Sequence, residues 1–314
     1  MEKSDPINVV LVCDDRYLRH AAVTMLSAMQ NSKRRFCFYI FDCGIKQANL
    51  EKLASWDIGP NVLKVIPMDK IEVFEKFPLR NEFSPAIFYR LCIPEILKDI
   101  SKAIYLDSDI VVVGDLGELW DLPLHDRCFG AVSEEGHFKP ACTFLRRKQH
   151  LGMKPTDCYF NSGVLLLDLE ALRSCGFTKQ LIQFLNTTTN PRVTLPDQDA
   201  LNIVVNRSQF LQLPDKFNYK LDLGSNEGEN VPCNIHYFLK VWKYPESFVK
   251  RIITKKLPYA YEYFHYAKQT LWSKEVNMEV SWMRAFKLIF KNVFKPIEQW
   301  LRFQKNNLLH LLHK

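Results

Sequence analysis

Asp107 and Asp109, in the triplet Asp107-Ser108-Asp109, are the side chains of this sequence best suited to chemistry. They interrupt a β-rich apolar stretch, Lys102 to Gly114 (KAIYLDSDIVVVG), and a carboxylate inside a strand needs a reason because burying it unpaired is costly. Residues at i and i+2 of a strand point the same way, here into the core. The chain is therefore expected to leave the strand and turn both groups towards a cation. Hard oxygen ligands suit Mg²⁺ or Mn²⁺, and such an ion can bridge a diphosphate and offset the charge that builds on it as its bond to a sugar breaks. His236, in the strand-like run Cys233 to Phe238, is a candidate third ligand, since imidazole suits Mn²⁺ better than Mg²⁺, although an isolated histidine is more often structural.

A second acidic pair, Asp197 and Asp199, flanks Gln198 at the start of a helix expected to run through Val205. Carboxylates there favour the helix dipole, so capping competes with a functional role for both. Gln198 has no such capping use. An amide beneath an anomeric carbon is a weak nucleophile, yet it can stabilise an oxocarbenium-like centre without trapping it. There is no GxGxxG after the first strand-like run and no GxxxxGK[ST], GxSxG or HExxH. Dinucleotide dehydrogenases and P-loop NTPases thereby lose their main support.

The scaffold follows from hydrophobic patterning. Asn8 to Cys13 reads as a strand buried on both faces, and Asp14 and Asp15 then cap a helix with Leu18, Ala22, Met25, Leu26 and Met29 at helical spacing. Strand Phe36 to Phe41, helix Gln47 to Trp56 and strand Val62 to Pro67 repeat the unit, the alternation of a parallel sheet with helices on its faces. Ser84 and Pro85 supply an N-cap and N1 proline, predicting a helix over 86–98 that carries Arg90. Phe129 to Ser133 and Tyr159 to Leu169 read as strands and Phe177 to Asn186 as a helix. Between the strands, Glu134 to Asp157 is polar, basic and weakly periodic, as expected of a mobile flap over a site.

Of 42 Lys and Arg against 35 Asp and Glu, seven basic side chains lie between residues 281 and 314 against the single acid Glu298. The first 280 residues are close to neutral, so no basic groove for nucleic acid is indicated. At 47% hydrophobic residues and 11 glycines, disorder and fibrous repeats are set aside. The first residues turn acidic too soon for a signal peptide, and no apolar run is long enough to span a bilayer. Nine scattered cysteines without a Cys-x-x-Cys pair suggest reduced thiols. On a helical wheel Trp282, Phe286, Ile289, Phe290, Val293 and Ile297 share one sector opposite Arg284, Lys287, Lys291 and Lys295, with Leu288 the misfit. Such a cationic amphipathic helix is expected to lie in an anionic membrane interface.

Taken together, VLVCDDRY (10–17), FYRL (88–91), YLDSDIVV (105–112), LGELWDLPL (116–124), YFNSGVLLLDL (159–169), LPDQDALN (195–202) and IHYFLKVW (235–242) resemble family 8 retaining glycosyltransferases. That group includes bacterial lipooligosaccharide and lipopolysaccharide α-galactosyl- and α-glucosyltransferases. The resemblance implies a GT-A, Rossmann-like α/β fold with a mixed, mainly parallel sheet flanked by helices. It implies that Asp14 and Tyr17, with Cys13 beside them, hold the uracil of a UDP-sugar, and that Ser108 approaches ribose or uracil. Asp107, Asp109 and His236 would hold Mn²⁺, or Mg²⁺, on the diphosphate. Arg90, Asn161, Asp197 and Gln198 would surround the donor sugar, Asp197 and Gln198 being the catalytic pair, with Gln198 opposite the leaving UDP. Lys240 would touch a phosphate oxygen. In the front-face mechanism proposed for such enzymes, the acceptor hydroxyl attacks from the side the UDP leaves and the departing phosphate takes its proton.

One segment departs from the family pattern. HxxGPxKPW is here His236 followed by Tyr237, Phe238, Leu239, Lys240, Val241 and Trp242, two residues shorter, so Lys243 rivals Lys240 for the phosphate contact. The expectation is a catalytic unit at 1–245, a helical acceptor-side region at 246–280 and a membrane-attaching extension at 281–314. UDP-galactose or UDP-glucose would donate an α-linked hexose to a lipid-linked oligosaccharide, at the cytoplasmic face of a bacterial inner membrane. Alternatives are a glycogenin-like or protein-directed glucosyltransferase, and a catalytically weak membrane-associated UDP-sugar-binding protein.

Overall fold

Ten strands carry the architecture in the computed structural model, which describes residues 5–79, 83–135, 141–204, 210–222 and 231–290. They are β1 (Ile7–Cys13), β2 (Phe36–Asp42), β3 (Val62–Pro67), β4 (Lys102–Leu106), β5 (Ile110–Val112), β6 (Phe129–Ser133), β7 (Phe160–Asp168), β8 (Phe210–Leu213), β9 (Tyr219–Lys220) and β10 (Asn234–His236). Seven form one sheet in the order β3-β2-β1-β4-β7-β6-β8, with β7 alone running against the rest. The mixed, mainly parallel α/β sheet that the family resemblance implied is thus present. β5, β10 and β9 make a second, small sheet.

β1 and β7 are buried almost throughout because helices cover both faces, which is why their apolar runs do not alternate. The helix Leu18–Asn31 packs on one face with Leu106, Ile110 and Leu166, while Phe88, Phe129, Phe160 and the helix Phe177–Thr187 pack on the other. A third cluster joins Val111 and Ile235 of the small sheet to Tyr237, Trp242, Tyr263 and Phe264. Pairing of β6 with β7 shifts register between Ala131 and Val132, so the chain at Ser162 and Gly163 is released from the ladder. Such irregularities re-aim side chains, and this one falls beside the DSD turn.

Two expectations are corrected. The 86–98 helix is a 3-10 turn, Pro85–Cys92, followed by the short helix Ile93–Ile96, because Pro94 has no backbone N–H to donate to an α-ladder. The mobile flap is in its described part the helix Ala141–His150, held by Phe144, Leu151 and Met153 against Tyr159 and Val193. Lys148 is buried there, its ammonium donating to Glu135 and to the carbonyls of Pro155 and Asp157. Charges that turn inward hid this helix from its hydrophobic pattern.

The C-terminal helix Trp282–Ile289 exists, but its wheel is read differently in space. Ala285 is buried, and Leu288 and Ile289 pack on the third cluster, while Trp282, Met283, Phe286 and Phe290 are exposed at 66%, 69%, 70% and 55%. Leu288, the misfit on the wheel, is an anchor. Val293, Ile297 and the rest of the cationic tail lie outside the described residues. No described helix is long and apolar enough to cross a membrane. Ahead of the helix, Glu279 pairs with Arg19 and lies 3.7 Å from His20 Nε2. His20 and the charge of Arg19 beside it pull its carboxyl down to about 2.

A carboxyl depressed from 4.5 to about 2 adds stability that is present above its unfolded value and lost as pH falls towards the folded one. Glu279→Gln is therefore expected to lower Tm at pH 7 by roughly 2–4 °C. It should also flatten the fall of Tm between about pH 5 and 2. Thermal unfolding followed by circular dichroism checks both, and parallel pH profiles for the two proteins would refute the clamp.

Candidate active site

The carboxyl-terminal ends of β1 and β4 open into a cavity of about 140 Å³. Cys13, Asp14, Tyr17, Arg90, Asp107, Ser108, Asp109 and Lys240 all line it. Ligands bind outside these strand ends in parallel sheets because helices and loops diverge there. Asp14 Oδ1 accepts from the backbone N–H groups of Arg16 and Tyr17 at 3.0 Å each, folding the turn that presents Tyr17. Lys240 donates to the Tyr17 hydroxyl at 3.0 Å across the cleft. Its backbone is left-handed, φ 47°, a conformation that a side chain with a Cβ rarely adopts. Lys243 instead faces Glu279 at 3.8 Å and is absent from the lining. Ser108 Oγ is committed to the Val12 carbonyl at 3.2 Å.

β4 ends at Leu106, and the chain turns away so that Asp107 and Asp109 leave the core. Their carboxylate oxygens and a ring nitrogen of His236 lie within 4.8 Å of one another. His236 Nε2 is 3.2 Å from Asp109 Oδ1 and 3.6 Å from Asp107 Oδ2. Asn218 fixes this ring. Its amide Nδ2 donates to Asn161 Oδ1 at 2.7 Å, so its Oδ1 is left to accept from His236 Nδ1 at 3.0 Å, and Nε2 turns its lone pair to the carboxylates. Two carboxylates and an imidazole gathered at one place fit a divalent cation.

Arg90 ties this cluster to a second one. Its Nη2 lies 2.8 Å from Asp107 Oδ1 and its Nε 3.2 Å from Asp197 Oδ2, while Nη1 donates to the Ser162 carbonyl and hydroxyl at 3.0 and 3.1 Å. Tyr105 holds the same Asp107 oxygen at 2.6 Å, leaving Oδ2 for the cation side. Burial works against the guanidinium, but Asp107, Tyr105 and Asp197 raise its pKa above even the usual arginine value. Asp197 moves the other way. Burial pushes its carboxyl up, although Arg90 partly restrains it.

Gln198 Oε1 accepts from Asn161 Nδ2 at 3.0 Å and Ser162 N at 3.1 Å, and its Nε2 donates to the Tyr159 hydroxyl at 3.1 Å. The amide is locked, one residue from the Asp197 that faces Arg90. Asp199, by contrast, is structural: Oδ2 accepts from the N–H groups of Thr194 and Leu195, and Oδ1 from Arg147 and Tyr159. Of the competing roles for the two acids, Asp199 takes the cap. Sequence reading missed Tyr105, Ser162, Asn218 and Glu134, which orient the functional groups. Ser162 and Tyr105 lay inside quoted motifs, but Asn218 is 18 residues from its histidine in a stretch without pattern.

Alongside this cleft and its DSD–His cluster, a family model, Glycosyl transferase family 8, matches residues 8–244. The chain belongs to glycosyl transferase family 8. It is similar to General stress protein A of Bacillus subtilis (strain 168), 29% identical over 306 residues that cover 90% of this chain and 100% of that protein. It is also similar to the lipopolysaccharide 1,2-glucosyltransferase of Escherichia coli (strain K12), 29% identical over 222 residues, 68% of this chain and 62% of the relative. Of the E. coli enzyme it therefore spans less than two thirds. Among solved structures, the galactosyltransferase LgtC in complex with donor and acceptor sugar analogues aligns with a TM-score of 0.66 at 24% identity, over 84% of this chain and 96% of that one. That likeness identifies the fold as GT-A. This family 8 protein is thus a glycosyltransferase.

Gly163 explains how closely the family 8 site is packed. A Cβ built on it would meet His236 Cε1 at 2.3 Å, His236 Nδ1 at 2.7 Å and Asp107 Oδ2 at 2.8 Å. Gly163→Ala must push the imidazole or the carboxylate aside. Calorimetric titration with Mn²⁺ is expected to show affinity lowered by about 10–100-fold, the usual effect of displacing a ligand's support. Unaltered affinity would show that these two side chains do not act together on a cation.

Proposed function

We propose that this glycosyltransferase moves galactose or glucose from its UDP-sugar to a lipid-linked oligosaccharide with retention of anomeric configuration. The observation that carries the reading is the connected network of Asp109, His236, Asp107, Arg90 and Asp197, joined to Gln198 through Ser162, of which Asp107, Asp109 and Arg90 line the Tyr17–Lys240 cleft. Tyr17 and Asp14 would seat uracil, and Asp107, Asp109 and His236 would hold Mn²⁺ on the diphosphate. The ion would offset charge on the leaving UDP. Lys240 reaches the same cleft and supplies a further cation to a phosphate oxygen.

The bond from the anomeric carbon to the β-phosphate oxygen breaks, a bond to the acceptor oxygen forms on the same face, and the acceptor's proton passes to the departing phosphate. No strong protein base is required. Arg90 pairs with both Asp107 and Asp197, and the fixed Gln198 amide presents its carbonyl dipole to positive charge developing at the anomeric carbon. Similarity to the E. coli lipopolysaccharide 1,2-glucosyltransferase and to a lipopolysaccharide 1,3-galactosyltransferase of Salmonella typhimurium supports a lipid-borne acceptor. The exposed Trp282, Met283, Phe286 and Phe290, continued by the cationic sequence to Lys314, support peripheral attachment to an anionic surface, the cytoplasmic face of a bacterial inner membrane.

Gln198→Ala is expected to retain UDP binding while losing about 10²–10³-fold in kcat, measured as Mn²⁺-dependent turnover of UDP-galactose and UDP-glucose. A variant at full rate would place the anomeric carbon elsewhere. Removal of residues 291–314 deletes five basic side chains and is expected to abolish sedimentation with phosphatidylglycerol vesicles at low salt, each charge being worth about 1 kcal/mol. Persistent co-sedimentation would refute attachment through the tail.

A further inference from the structure

Phe238 is out of character with its neighbours. Tyr237 is fully buried and Leu239 nearly so, yet Phe238 is 41% exposed in the short segment that departs from the family pattern. Its ring stacks on the imidazole of His236, centroids 4.3 Å apart and planes 29° apart. The Lys220 ammonium approaches the same ring, 5.5 Å from its centroid. Lys220 is itself buried and pairs with one oxygen of Glu134, whose other oxygen accepts from Asn161 at 2.8 Å. Burial opposes the charge on Glu134, but Lys220 prevails, so its carboxyl stays below the ordinary range. Phe238 does not line the Tyr17–Lys240 cleft. The DSD–His cluster therefore separates two surfaces: a nucleotide cleft, and a rim that offers an aromatic face beside a fixed carboxylate.

We propose that the second surface is the acceptor subsite and that Phe238 is the platform on which an acceptor pyranose rests. The inference depends on reading the site as a sugar-transfer centre. A pyranose has an apolar face of C–H groups and a polar edge of hydroxyls. That matches an exposed ring next to Glu134 and does not match a phosphate or a nucleobase edge. The placement also suits the chemistry, because an attacking hydroxyl must reach the anomeric carbon from the side of the diphosphate, and His236 joins the ring of Phe238 to Asp107 and Asp109, which line the cleft. Peptide and lipid acceptors have no comparable use for a ring set parallel to the imidazole.

The test is steady-state kinetics of the full chain with Mn²⁺ and whichever UDP-hexose it turns over. The acceptor probes are lactose, maltose, p-nitrophenyl β-galactoside and p-nitrophenyl α-glucoside. Phe238→Ala is expected to raise acceptor KM about 10-fold or more while kcat at saturating acceptor changes less than about 3-fold, and Phe238→Tyr should recover the wild-type KM. Calorimetry should find the Mn²⁺-dependent affinity for UDP within about 2-fold of wild type. An unchanged acceptor KM overturns the platform, as does a parallel loss of Mn²⁺–UDP affinity, which would make the ring a prop for His236. Donor hydrolysis by the wild type without transfer to any of these sugars also overturns it. Failure to turn over any UDP-hexose would instead sink the proposed function and the platform with it.

Discussion

A buried guanidinium between two carboxylates is the interaction on which the site depends. Arg90 is fully charged at any pH the protein meets, and its fork reaches Asp107, Asp197 and the Ser162 carbonyl at once. Without it, two acids near one cation site would repel each other in a medium that screens poorly. With it, one oxygen of Asp107 is occupied and the other is left to the cation, so the arginine sets ligand geometry as well as charge. Removing one member of such a cluster strands the rest, which is why the surrounding architecture is devoted to holding it.

That architecture is economical. β4 delivers Asp107 directly from its end, and the 3-10 turn at Pro85–Cys92 brings Arg90 over it. The register shift in β7 frees Ser162 and Gly163 to touch Arg90, Gln198 and His236 from one short stretch. β7 is the only strand of the large sheet that runs backwards, and this brings its first residues, not its last, to the edge where the parallel strands end. Reversal and irregularity together place two consecutive residues among three functional side chains.

Legibility in the sequence divided along physical lines. Strands buried on both faces, such as Asn8 to Cys13 and Phe36 to Phe41, were readable because unbroken apolar runs have few other homes. Asp107 and Asp109 were readable because charge within such a run is anomalous. Groups that only orient others were not, since Asn218 and Glu134 act through contacts distant in sequence and have no local signature. The helix Ala141–His150 was misread as a flap because inward-facing Lys148 and Arg147 look solvated in sequence but are paired with Glu135 and Asp199. Leu288 failed a wheel that assumed one apolar face where the helix has two.

Those two faces have a mechanical consequence. The helix that presents Trp282, Phe286 and Phe290 outward is anchored inward by Ala285 and Leu288, and the residue before its cap region, Glu279, grips Arg19 and lies beside His20. Arg19 and His20 belong to the first helix, whose cap is Tyr17, and His20 lies between Trp242, 4.3 Å away by ring centroid, and the hydroxyl of Tyr263 at 2.8 Å. A packed path therefore runs from the exposed aromatic patch to the ring of Tyr17, which lines the cleft. Packed interiors transmit position because they do not deform smoothly. Any surface engaged by the patch would meet the cleft at one fixed orientation, with the exposed ring of Phe238 carried on the same body.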